Sequence, residues 1–233
     1  MKTITNLVES AGCELIWDLA HSAGALPVEL NKQGVRFAVG CTYKYLNGGP
    51  GAPGFVYVAK DSQGKGSQPL TGWLGHKHPF AFESQYDPAD DIFAFRTGIH
   101  SPLAYSTLEA SIELWQQVDL IEVREKSLKL SSLFQSCIAS SCQINNIIDV
   151  TPVLEQRGSH VSLMHRDHGH GIIEALNARG VIGDYREPGL MGFGFAPLYL
   201  SYVDVWNTAC AFNEVLGGEE YRKNEFQVRL EVT

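Results

Sequence analysis

Lysine and arginine are scarce in this chain, and none of its apolar runs is long. It has 18 basic residues against 26 acidic ones, a formal net charge of -8 over 233 residues. Nucleic acid and anionic membrane surfaces attract clustered cations, so this balance argues against either as a main partner. No stretch approaches the roughly 18–20 apolar residues that a membrane-spanning helix needs. The first residues, Met1 to Asn6, show no apolar core followed by a small-residue cleavage site, so no secretory signal is expected and the protein is expected to be cytoplasmic. Cysteine is also sparse. Cys13, Cys41, Cys137, Cys142 and Cys210 make an odd set with no CxxC pair, which suits reduced thiols better than a disulfide framework or a zinc site. His165, His168 and His170 fall close together, yet no Cys or carboxylate cluster accompanies them at site spacing, and no metal is expected.

The residues that are present read as an α/β protein. A helical piece over Thr5–Ala11 precedes the apolar run Cys13–Trp17. A turn of helix is expected over Val28–Lys32, and further short strands over Arg36–Gly40 and Gly54–Ala59. Residues 68–100 show no period. Helices are expected over Pro102–Gln117 and Leu120–Ile138, the second with Val123, Leu130 and Phe134 on its apolar face. Strands over Val150–Thr151, His160–Met164, Val181–Tyr185 and Gly194–Ala196 alternate with helices over Gly171–Arg179 and Val203–Leu216. A composition shift near Asp119 divides the chain into an expected first domain, 1–120, and a linking helix with a small α+β domain, 121–233.

Chemistry concentrates in the first part. Asp18 ends an expected buried strand and opens Asp18-Leu-Ala-His21, while Lys44 follows the next strand in Cys41-Thr-Tyr-Lys44-Tyr-Leu-Asn47, ahead of a Gly/Pro loop. Ligands of open α/β sheets gather at the carboxyl ends of strands. A lysine and an aspartate at adjacent strand ends suit pyridoxal phosphate, which is held as a Schiff base on the lysine while the aspartate pairs with its ring nitrogen. His21 is positioned to meet the ring or the carboxylate, and Tyr43 to reach the phosphate. Taken singly, a lysine in such a segment is ordinarily a surface charge, and an aspartate after a strand ordinarily caps a turn.

The longer motifs carry more. Trp17-Asp-Leu-Ala-His-Ser-Ala-Gly24 and Gly40-Cys-Thr-Tyr-Lys-Tyr-Leu-Asn-Gly-Gly-Pro-Gly51 closely resemble kynureninases. The similarity continues through Pro69–His76, Arg157–Ser162, Gly180–Pro188 and Gly194–Tyr199. The resemblance implies the C-terminal part of a fold-type-I large domain, with a mixed, mostly parallel sheet and helices, followed by the small domain. It implies a homodimer that uses pyridoxal phosphate to cleave L-kynurenine, or 3-hydroxykynurenine, hydrolytically in tryptophan catabolism and NAD biosynthesis. Carried over, Lys44 is the cofactor lysine and Asp18 the partner of the pyridine nitrogen. His21, Tyr43 and Trp73 line the cofactor pocket, with Tyr43 and the Trp73 indole toward the phosphate and Tyr43 also suited to proton transfer. The chain departs from the family pattern where the resemblance expects an arginine for the substrate carboxylate and Gly192 stands instead, and where it expects Asn or Thr and Ile99 stands. A catalytically inactive fragment or degenerate subunit is therefore the alternative. A cysteine-desulfurase-like or aminotransferase-like relative fits the stretches around Trp73 and Arg186 less well.

Overall fold

The structure is a computed structural model that describes residues 1–66 and 68–228; residues 229–233, the end of the expected second domain, lie outside the described residues. The chain forms two compact units, Met1–Asp119 and Leu120–Thr233.

The first unit opens with helix α1 (Lys2–Ser10), which ends where Gly12 takes a left-handed φ of 72°. Strand β1 (Ile16–Asp18) pairs in parallel with β2 (Phe37–Cys41), and β2 pairs antiparallel with β3 (Gly54–Val58). The sheet is mixed as expected, with one parallel and one antiparallel pairing. One face is covered. Leu19, Val35 and Ala38 are buried there with Trp17, Val28, Leu30, Phe55 and Tyr57 packed against them, and the Trp17 indole N–H donates to the Thr5 hydroxyl of α1 at 3.1 Å. The opposite face leaves Ile16, Val39 and Val56 exposed. At the expected turn of helix, Val28–Lys32, there are isolated hydrogen-bonded turns: Gln33 N–H to the Glu29 carbonyl closes a single helical turn one residue on, and Val35 N–H to the Leu30 carbonyl follows. Gly34, at a φ of 71°, ends them before a second helical turn can form. Residues 68–100 hold short 3-10 turns, including Trp73–Gly75, and an isolated antiparallel bridge between His76 and Pro88; helix α2 (Pro102–Trp115) follows with proline at its first turn, where no N–H is needed.

The second unit is α+β. Helix α3 (Leu120–Ile144) leads into β4 (Ile148–Asp149), β5 (His160–Met164), helix α4 (Gly169–Ala178), β6 (Asp184–Arg186), β7 (Leu190–Gly194) and helix α5 (Tyr202–Gly217). The four strands form an antiparallel sheet in the order β4-β5-β7-β6. Period-2 burial aims Val161 and Leu163 of β5 and Met191 and Phe193 of β7 toward the helices. Phe134 of α3 is fully buried, with ring centroids 5.1 Å from Phe193, 5.6 Å from Phe195 and 5.9 Å from Phe212. Helix α5 starts with a capping box: Ser201 Oγ accepts from Asp204 N–H at 3.2 Å, and the Asp204 carboxylate accepts from Ser201 N–H at 2.7 Å. The Ser201 hydroxyl, which also donates to the Asp204 carboxylate at 2.7 Å, and then the Ser201 N–H hold that carboxyl below the usual range.

A polar relay, buried at its arginine end, ties α3 to the strands. The Arg157 guanidinium, 6% exposed, donates to Gln135 Oε1, whose amide nitrogen donates to Asp149 Oδ2 at 2.6 Å. Arg124 donates to the carbonyls of Arg157 at 2.7 Å and Gly158 at 3.1 Å. Burial lowers the affinity of both guanidiniums for their protons. Phe134→Ala, which removes the ring at the meeting point of three others, is expected to cost about 3–5 kcal/mol, read as a lowered urea midpoint with an unchanged slope.

Candidate cofactor-lysine site

Parallel pairing decides where the chemistry falls. Asp18 is level with Val39, and Leu19 N–H continues the pairing by donating to the Val39 carbonyl at 2.7 Å. The carboxyl ends of β1 and β2 therefore lie side by side, and the two loops that leave them, 19–26 and 42–53, start at the same edge. Asp18 Oδ1 accepts from Ala20 N–H at 2.8 Å, which fixes the first turn and leaves the second oxygen for another donor. His21 Nε2 then lies 3.1 Å from Lys44 Nζ, across 23 residues of sequence.

The lysine loop is anchored from several sides. Thr42 is buried and its hydroxyl donates to the Pro53 carbonyl at 2.6 Å, while Gly48 N–H donates to the Thr42 carbonyl at 2.8 Å. Asn47 N–H closes on the Lys44 carbonyl at 2.9 Å, with Asn47 at a φ of 57°. The Leu46 carbonyl accepts from two side chains of α2, the Ser111 hydroxyl and the Trp115 indole. Between the loops the contact is close: Gly24, at a φ of 81°, lies so near the Tyr45 carbonyl that a Cβ would come within 2.6 Å of its oxygen. The Cys41 thiol donates to the Ala20 carbonyl at 3.6 Å. Gly24, Cys41 and Ser111 act here as supports; the first two fall within the quoted motifs and Ser111 in none, and the supporting role of all three depends on which loops meet.

The expected residues are not all gathered. Asp18, His21 and Lys44 share one sheet end, and the Lys44 ammonium lies 5.6 Å from the ring centre of Tyr43, which is half exposed. Trp73 turns its indole N–H to the Pro79 carbonyl and stacks edge-on against Phe80 at 5.4 Å, so its contacts stay within its own loop. A separate cavity of about 290 Å³, lined by Leu74, His76, Lys77, Phe93 and Arg96 among others, includes none of the five expected residues. Ile99 is exposed. In the second unit, Gly192 sits on the sheet face opposite the Met191 and Phe193 side chains, level with Ser162 and Asp184. A Cβ there would meet Asp184 Cβ at 3.7 Å, an ordinary contact. His165 and His168 have ring centres 5.0 Å apart, and burial, then the neighbouring His168, lowers the affinity of His165 for a proton. Among the described residues no three His, Cys, Asp or Glu converge as a metal site.

Gly12→Ala and Gly24→Ala separate backbone strain from loop contact. Both glycines have positive φ, but only Gly24 is crowded. The first variant is expected to lose about 1 kcal/mol from backbone strain alone, and the second clearly more, in paired denaturant titrations.

Comparison with known proteins bears on the same residues. The family model described as kynureninase C-terminal domain matches residues 123–212. The kynureninase of Burkholderia mallei (strain SAVP1) is 45% identical over the whole chain, and that of Pseudomonas fluorescens 43%. Each alignment takes in 56% of the relative, so the chain spans about half the length of the curated relatives it matches. Among solved structures, the apo cysteine desulfurase of Thermococcus onnurineus NA1 and a cysteine desulfurase of Escherichia coli both superpose with a TM-score of 0.75 at 17% identity. They cover 93% of this chain, which covers 56% and 55% of theirs. A C-DES variant with glycine covalently linked to its PLP cofactor gives 0.69 at 16% identity, covering 83% of this chain and 49% of its own. At such identities the structural likeness speaks to the fold, the mixed α/β fold of type-I enzymes. Along all of its length this chain is similar in sequence to the C-terminal portion of kynureninases.

Proposed function

We propose that this chain carries the cofactor lysine of a kynureninase-type, pyridoxal-phosphate-dependent hydrolase, with Lys44 as that lysine. One observation carries the reading: Asp18 and Lys44 leave adjacent parallel strands at the same end, with His21 3.1 Å from the Lys44 amine. The donor set fits the cofactor in kind. Lys44 offers an amine, Asp18 an oxygen not used by its turn, and Tyr43 an exposed hydroxyl. When bound, pyridoxal phosphate supplies an electron sink conjugated to the amine it holds. The protein's own part is to position and to move protons. Asp18 keeps a ring nitrogen protonated by offering it a carboxylate, and Lys44 holds and later releases the ligand through Nζ. Tyr43, whose ring centre lies 5.6 Å from Nζ, is suited to proton transfer in this reading. His21 and Trp73 complete the pocket in this reading, Trp73 once its indole leaves the Pro79 carbonyl. The proposed reaction is cleavage of L-kynurenine, or its 3-hydroxy form, by water to anthranilate (or 3-hydroxyanthranilate) and L-alanine, in tryptophan catabolism and NAD biosynthesis, by a homodimer.

A second reading, a non-catalytic relative, is favoured by Gly192. Glycine has no guanidinium with which to grip a carboxylate in bidentate fashion, and an orienting contact of that kind is worth on the order of 10²-fold in rate when lost.

Two measurements test the proposal. Incubation with pyridoxal phosphate, borohydride reduction and peptide mapping is expected to place the label on Lys44; label on Lys60 or Lys65 in its stead rejects the assignment. Anthranilate release is to be compared for this chain, its Gly192→Arg variant, and that variant joined to the preceding portion of the Burkholderia relative. Turnover is expected in the third protein alone. Turnover by the unmodified chain shows that a group other than an arginine at position 192 holds the carboxylate.

A further inference from the structure

The contact between His21 and Lys44 has a chemical direction. Two nitrogens 3.1 Å apart share a single proton: either the ammonium donates to an imidazole lone pair, or the imidazole N–H donates to a free amine. Lysine attacks a carbonyl only as the free amine, so the ammonium must first give up a proton. Asp18 makes neither a hydrogen bond nor an ion pair with Nζ among the described residues, its Oδ1 accepting from Ala20 N–H, and Tyr43 presents the face of its ring. The imidazole brings a basic lone pair to hydrogen-bond distance.

The pair is built and held, which distinguishes it from a chance surface contact. The turn that carries His21 is tied to the lysine loop before and after the histidine. Leu19 N–H binds the Val39 carbonyl and the Ala20 carbonyl accepts from the Cys41 thiol on one side; Gly24 lies against the Tyr45 carbonyl on the other. Asn47 N–H then fixes the Lys44 carbonyl itself. The backbone of both partners is thus set before any ligand arrives, and His21 remains open to solvent.

We infer that His21 is the proton acceptor that arms Lys44 for covalent capture of an aldehyde, the functional group through which pyridoxal phosphate binds lysine. The inference rests on the assignment of Lys44 in the proposed function. In the step it describes, the Lys44 ammonium passes a proton to His21 Nε2. The Nζ–carbon double bond forms as the carbonyl oxygen departs as water, which takes one hydrogen from Nζ and the proton held by His21; the nitrogen keeps one hydrogen and the positive charge. Neither an oxidant nor a further reactant is needed, and His21 ends as it began.

The test follows the rate of capture rather than turnover. Wild type, His21→Gln and His21→Ala are mixed with pyridoxal phosphate, quenched with borohydride at timed intervals, and mapped for label on Lys44. Pyridoxal serves as a second probe that makes no demand on a phosphate cradle. Glutamine keeps a hydrogen-bond acceptor but takes no proton, so His21→Gln is expected to reach the wild-type end point about 10²-fold more slowly, the low end of what a general base supplies. His21→Ala is expected to be equally slow, and to speed up in proportion to added imidazole. Wild-type rates in His21→Gln, or a slow His21→Ala that imidazole does not accelerate, overturn the inference while leaving Lys44 as the cofactor lysine. Failure of all three proteins to label Lys44 overturns both.

Discussion

Parallel pairing of β1 with β2 is the constraint on which the site depends. Parallel neighbours end at the same edge, so whatever follows each strand meets whatever follows the other. The alignment of Asp18 with Val39 thus converts a 23-residue separation between His21 and Lys44 into a hydrogen bond. The connection between the strands must return the chain to the starting edge. It does so over residues 19–36 by turns rather than a helix, with Leu19 and Val35 buried at its two ends. Thr42, Gly48 and the Leu46 carbonyl under α2 then fix the second loop. The first and second loops are consequently rigid where they touch, as a site that must present one amine in one place requires.

In the second unit the organising feature is a division of labour between the faces of one sheet. Phe134 and the three phenylalanines around it fill the side under the helices, and hydrogen bonds secure the strand ends. Arg157 carries its charge into this region without touching a carboxylate. Gln135 stands between it and Asp149, accepting from one and donating to the other. Such an amide bridge gives each ion a partner while keeping the two apart, and it fixes which way the amide points. The other face, with Gly192, Ser162 and Asp184, takes no part in that core.

Much of the fold was legible because burial and turn chemistry agreed locally. His160–Met164 alternates cleanly, and Gly180, at a φ of 79°, stops α4 close to where the sequence suggests. Errors arose where an apolar run and a strand do not coincide. Phe195 and Ala196 look like strand residues, but β7 ends at Gly194 and Phe195 is buried beyond it, its N–H bound to the Ser159 carbonyl. The β4 pairing falls on Ile148 and Asp149, two residues before the run Val150–Thr151, and α3 continues to Ile144 because Ile138 and Cys142 extend its buried stripe. In the site, residue types at strand ends were readable, whereas contacts between loops were not. Nothing in the spacing of His21 and Lys44 announces their hydrogen bond, and nothing around Trp73 reveals that its indole is taken by Pro79. Both facts belong to tertiary packing, which local propensity does not encode.

The open space beside Gly192 also has a genetic meaning. Where a side chain is missing from a packed core, its neighbours close in, and restoring it then demands several coordinated changes. Here the strand has kept its pairing to Ser162 and Asp184, and a Cβ meets nothing closer than ordinary contact. Glycine and arginine codons differ by one base at the first position. Exchange between the two residues at this point is therefore a single mutational step in either direction, and the first side-chain carbon meets only ordinary contact.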